Sequence, residues 1–165
     1  MSDKNFEYLG NTFQLQLINQ IILDRNFSTS IIEAIEPSYF ENKYFKLITQ
    51  MVKEYYNKYE HTPSFETLEQ ITKAELQQES ASKIVLDTLS KIKDAPSEGM
   101  DFVQEKSKKF CKQQELQKAM VQVQKIIDGG EFENYDKAEG LIREALQVGV
   151  VEEGMADVFS NLDEV

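Results

Sequence analysis

Residues 100–128 read MDFVQEKSKKFCKQQELQKAMVQVQKIID, and neither glycine nor proline interrupts them. With no breaker inside it, this stretch predicts one long helix that starts near Ser97 or Glu98 and is stopped by Gly129-Gly130. A short connection, Phe132–Tyr135, leads to a second helix over about 135–148, with Ala138, Leu141, Ile142, Ala145 and Leu146 on one side. Two helices joined by so short a link are expected to lie antiparallel as a hairpin. The long arm carries a narrow apolar stripe: Phe102, Phe110, Leu116, Met120, Val123 and Ile127. Between 104 and 115 only Phe110 and Cys111 are apolar. A helix that polar is either solvent-bridging or waiting for a partner, and the regular terminal half of the stripe favours the partner.

Upstream, the apolar spacing is helical almost throughout. Phe13, Leu17, Ile18, Ile21 and Ile22 give a helix over about 11–24 with one wide apolar face. A short helix at about 28–35 is expected to start at Ser28 or Ser30 and to close before Pro37. Tyr44, Ile48, Met51, Val52, Tyr55 and Tyr59 line one side of a helix over about 38–60. His61-Thr-Pro-Ser is a break, after which Ser64 is an N-cap for a short helix carrying Phe65, Leu68 and Ile71. Ile84, Val85, Leu89 and Ile92 mark a helix at about 80–93, ended before Pro96. No stretch alternates as a strand would. The expected fold is all-α: a compact helical head over 1–97, the long antiparallel hairpin over 98–148, and a C-terminal linker segment over 149–165. In that last segment Met155, Val158, Phe159, Leu162 and Val165 step by three and four. They read as the opening turns of a docking helix or as a frayed terminus.

The 165 residues make one domain's worth of chain, enough to bury roughly 70% of the surface exposed on unfolding. The net charge of −11 is unevenly spread. Residues 131–165 hold ten acids against Lys137 and Arg143, a net of −8, and residues 1–130 carry the remaining −3. A body-wide basic surface is absent, so little or no direct DNA binding is expected. One cysteine excludes an internal disulfide and fits a reducing compartment. No apolar run approaches a membrane span, and residues 1–12 lack a signal-peptide pattern. The expectation is a soluble cytoplasmic domain with no membrane partner.

The catalytic inventory is poor. No Gly-rich phosphate loop is present, so no Walker-type or dinucleotide site is expected. His61 is alone beside Pro63 and reads as a turn residue rather than a base. Cys111 sits among Lys108, Lys109 and Lys112, which could lower its pKa, but a Cys111–His61 pair is strongly disfavoured. His and Cys are too few for a transition-metal site, and the carboxylates of 131–139 lack calcium-loop spacing. Tyr39, Tyr44, Tyr55, Tyr56 and Tyr59 read as core and rim, and Lys106–Lys112 as a solvated face.

The order of elements resembles the N-terminal domain of DnaB-type replicative helicases. The residues that carry the likeness are Tyr39-Phe40, then Tyr44-Phe45-Lys46-Leu47-Ile48 with Val52 and Tyr55-Tyr56, then Thr62-Pro63-Ser64 with Thr67-Leu68. The family pattern there is an aromatic pair, a helix entered through His/Phe-x-x-Ile/Leu-Phe, and a Pro-Ile-Asp-type cap before Thr-Leu. Asp94-Ala95-Pro96-Ser97 is similar to the family's Thr-Pro-Ser segment, and Met155-Ala-Asp-Val-Phe159 to the start of its linker. The Tyr-rich version is more like the bacteriophage branch.

The resemblance implies the front end of a hexameric helicase. In the family, heads pair through the hairpin into a collar of three dimers, which offers surfaces to primase or a helicase loader. The linker helix docks on the neighbouring subunit's motor domain. Carried onto this chain, Phe102, Phe110, Leu116, Met120, Val123, Ile127, Leu141, Ile142 and Leu146 divide between the hairpin seam and subunit contacts. Met155, Val158, Phe159 and Leu162 become linker anchors. The resemblance implies no cofactor in this chain, with ATP and Mg in a motor domain beyond it, and a cytoplasm that is bacterial or phage-infected. The Lys- and Gln-rich middle of the long helix is more polar than the family's. The alternative is a free-standing helical adaptor, such as a helicase loader or replication regulator.

Overall fold

The computed structural model of the chain describes residues 10–130 and 132–148. Among these the structure is all-helical, as the apolar spacing predicts, with seven α-helices, two short 3-10 turns and no strand. The chain divides into two compact units between Ser107 and Lys108.

In the first unit, α1 (Asn11–Leu23) is the central helix. The sequence predicts one apolar face, yet the buried set includes Gln14, Gln16 and Asn19 beside Phe13, Leu17, Ile18, Ile21 and Ile22. A helix covered on most sides must find partners for its amides. Asn19 Nδ2 donates to the Ile92 carbonyl at 3.0 Å, and Gln16 Nε2 to the carbonyls of Pro96 and Glu98.

α2 (Arg25–Ile31) starts earlier than Ser28 or Ser30 would have it. Its N-cap is Asp24, whose carboxylate accepts from Phe27 N at 3.1 Å. Ser28 is buried instead, and Ser30 donates its hydroxyl back to Phe27 O. A serine inside a helix satisfies its hydroxyl on the preceding turn, so it does not mark an end.

The long helix expected over 38–60 is shorter at its start. Pro37–Tyr39 form a 3-10 turn, and α3 (Lys43–Tyr59) begins at the N-cap Asn42, which accepts from Tyr44 N and Phe45 N. The aromatic pair Tyr39-Phe40 is thereby buried ahead of the helix, with the Phe40 ring edge-on to Phe45 at 6.3 Å. Phe45, not Tyr44, heads the buried face, which continues through Ile48, Met51 and Val52. Glu60 ends the helix in the left-handed region, at φ 63°.

α4 (Phe65–Glu75) is capped by Ser64, whose hydroxyl accepts from Thr67 N at 3.1 Å, as expected. It buries Phe65, Leu68 and Thr72. α5 (Glu79–Lys93) buries Val85, Thr88, Leu89 and Ile92, and leaves Ile84 exposed. α1 packs on α2, α3 and α5, and α3 also packs on α4 and α5. Leu17, Ile31, Ile48, Leu68 and Val85 are fully buried in this core, and replacing such a Leu or Ile with Ala costs about 2–5 kcal/mol.

α6 (Met100–Asp128) begins in the first unit. There Gln104 Nε2 donates to Gln20 Oε1 at 2.6 Å and to Asp24 Oδ2 at 2.9 Å, tying the second turn of α6 to α1. The helix continues without a break into the second unit. It stops at Gly129-Gly130, where Gly130 takes φ 65°, a conformation costly for any residue with a Cβ. A 3-10 turn (Phe132–Asn134) leads into α7 (Tyr135–Leu146). The linker segment and its residues Met155, Val158, Phe159 and Leu162 lie outside the described residues.

Candidate interaction face

The residues expected on the association face separate by exposure. On α6 within the second unit, Met120 is 54% exposed and Ile127 is 52% exposed. At 3.6 residues per turn, positions seven apart lie about 20° from each other on the helix surface, so these two share one stripe. Leu116 and Val123 are half-buried, and Ala119 beside them is buried. Ala145 of α7 is likewise buried. On α7, Leu141 and Ile142 are half-buried and Leu146 is 47% exposed.

Among the described residues of the second unit, two exposed large apolar side chains fall outside the expected list. Val121, at 57%, follows Met120 directly and sits off the three-four stripe, so periodicity gave it no weight. Tyr135 opens α7 and is also exposed. In the first unit, Phe102 is exposed with the Lys106 ammonium 5.7 Å from its ring centre.

Phe110 is 2% exposed, and Cys111 beside it is fully buried. Neither side chain is available to a partner or a reagent in the folded monomer. The thiol is thus withheld from solvent, where nucleophilic chemistry would need it. His61 is exposed, with Nδ1 3.1 Å from Thr62 O and its ring edge-on to Tyr55 at 5.4 Å. Among the described residues no group of three or more His, Cys, Asp or Glu is placed to hold a metal ion, and no helix is long and apolar enough to cross a membrane.

Short local pairs lie on the second unit's surface: Lys118 with Glu115 at 3.8 Å, Arg143 with Glu139, and Gln124 donating to Asp128 at 2.8 Å. Exposed pairs of this kind contribute little, about 0.3–0.5 kcal/mol each. They leave the uncovered apolar side chains as the chemically distinct feature of the unit. No protein-family model matches the chain, and no curated protein matches its sequence.

Proposed function

We propose that this chain is the oligomerisation and partner-docking module of a DnaB-type replicative helicase, with no catalysis of its own. The observation that carries the reading is the exposure of Met120, Val121, Ile127 and Leu146 in one small helical unit. Side chains of this kind in water, spaced along helices that bury little else, gain by association at about 25 cal/mol per Å² of apolar surface covered. In this reading α6 and α7 form a hairpin whose inner seam takes Leu116, Ala119, Val123, Leu141, Ile142 and Ala145. Its outer stripe meets a second copy, as in a dimer or a hexameric collar. Primase or a loader is the heterologous partner, the residues after Val148 lead towards a motor domain, and ATP and Mg serve that motor rather than this chain.

The experiment is sedimentation of the chain across a wide concentration range, alongside Met120→Asp and Ile127→Asp. Association that both substitutions abolish, with the helical content intact, supports the reading, because an unpaired carboxylate would have to be buried at the contact. A chain that stays monomeric throughout, and has no affinity for its cognate primase, overturns it.

A further inference from the structure

α3 and α4 enclose an open groove of about 630 Å³ in the first unit. Its apolar lining comes from Met51, Tyr55 and Tyr59 of α3 and Ile71 of α4. The groove exists because α3 runs past its own core face. Burial ends at Val52, and the following turns carry Tyr55, half-buried, and Tyr59, 50% exposed. The two rings lie 4.5 Å apart at 44°, and His61 adds a third ring 6.4 Å from Tyr59. The groove wall therefore carries aromatic surface from Tyr55 and Tyr59 that the core does not cover.

Two carboxylates set the chemistry. Glu54 of α3 and Glu75 of α4 line the groove from its two helices. Among the described residues neither has an ion-pair partner, and Glu54 is bonded only by the neutral amide of Gln50, at 3.0 Å. Among the described lining residues the one cation, Lys58, stands 5.4 Å from the centre of the Tyr59 ring. That ring already takes up a positive charge from its own chain, as a quadrupolar face does.

We infer that the α3–α4 groove, with Tyr55 and Tyr59 for stacking and Glu54 and Glu75 for charge, docks a partner protein segment that presents an Arg or Lys side chain beside an apolar one. Arginine suits it best, because a guanidinium stacks on tyrosine and pairs with carboxylate at once. A nucleic-acid strand could use the rings but would meet both carboxylates, so a basic peptide is the occupant that the charge selects. The site is independent of the association proposed for the second unit.

The test titrates the full chain, isotopically labelled for NMR, with a twelve-residue amphipathic probe peptide of Leu and Arg, near physiological salt. Its counterparts replace Arg with Gln or with Glu. The expected result is a shift of amide signals confined to 51–61 and 67–75 with the Arg peptide alone. Binding should weaken roughly tenfold in Glu54→Gln/Glu75→Gln and in Tyr59→Ala, the scale of a few exposed charge and cation–ring contacts. A charge-matched control, Glu79→Gln/Asp87→Gln on α5, should bind as the parent does, which separates the groove from the attraction of a chain carrying −11. Thermal melts of the variants report folding independently. The inference is overturned if the Glu or Gln peptide binds equally well, if the control weakens as much as the groove variant, or if the shifts fall outside the groove.

Discussion

Gln16 Nε2 donates to the carbonyl of Pro96 at 2.8 Å, and the same nitrogen donates to Glu98 O at 2.8 Å. A single buried amide on α1 thus clasps both sides of the turn that connects α5 to α6. Pro96 lacks an N–H and breaks the helix ladder, so the carbonyls around it have no regular partners. Gln16→Leu keeps the apolar bulk and removes both bonds. The expected loss is about 1–3 kcal/mol in urea unfolding with an unchanged m-value, at about 0.5–1.5 kcal/mol per bond. Replacement of the exposed Gln50 by Leu serves as the neutral comparison.

Asp24 couples stability to pH. Its carboxylate caps α2 through Phe27 N and accepts from Gln104, and these bonds hold its pKa below the ordinary 3.8, against a smaller opposing effect of burial. Since the folded pKa is the lower, the contribution is complete above the unfolded value and fades as pH falls through the folded one. The stability difference between the parent and Asp24→Ala should be constant from pH 5 to 7, at about 1 kcal/mol for a lost cap. It should shrink below about pH 4. Denaturant unfolding at a series of pH values checks both arms.

Val123 and Met120 should respond differently to the same charge. Met120 is exposed, so Met120→Asp is expected to change the monomer's stability by less than about 0.5 kcal/mol. Val123 is half-buried, and Val123→Asp should lower the melting temperature as well. Circular-dichroism melts at low concentration separate the two. Equal melts would mean that the exposure of the two positions does not describe the folded unit.

Cys111 should be protected. It has no solvent-accessible surface in the folded chain, so its alkylation by iodoacetamide has to await opening of the helix's surroundings. Labelling is expected to be slowed by about 100-fold or more relative to the urea-unfolded chain, the ratio set by the opening equilibrium. Native labelling at the unfolded rate would contradict the burial of Cys111.

Helix positions were legible in the sequence wherever a breaker or a cap stood beside a periodic run. Ser64, the Gly129-Gly130 stop and the uninterrupted 100–128 stretch each act through local backbone chemistry. Starts were misread where two capping residues compete. Asp24 and Ser28 both suit an N-cap, and only Asp24 reaches a free backbone N–H, with Gln104 holding it from the other side. Tyr44 and Phe45 both fit an apolar stripe, and Phe45 is the buried one, with the Phe40 ring edge-on to it.

The candidate faces divide in the same way. Sequence by itself determined the helical class, the length of α6 and the apolar stripe along it, because these follow from residue spacing and from the absence of Gly and Pro. Only the tertiary structure decided which members of the stripe stay in water. Met120 and Ile127 do, whereas Phe110 does not. It alone also brought Glu54 and Glu75 to one groove across 21 residues of sequence. Periodicity reports which side of a helix is apolar; what covers that side depends on elements distant in the chain, whose approach no local pattern encodes.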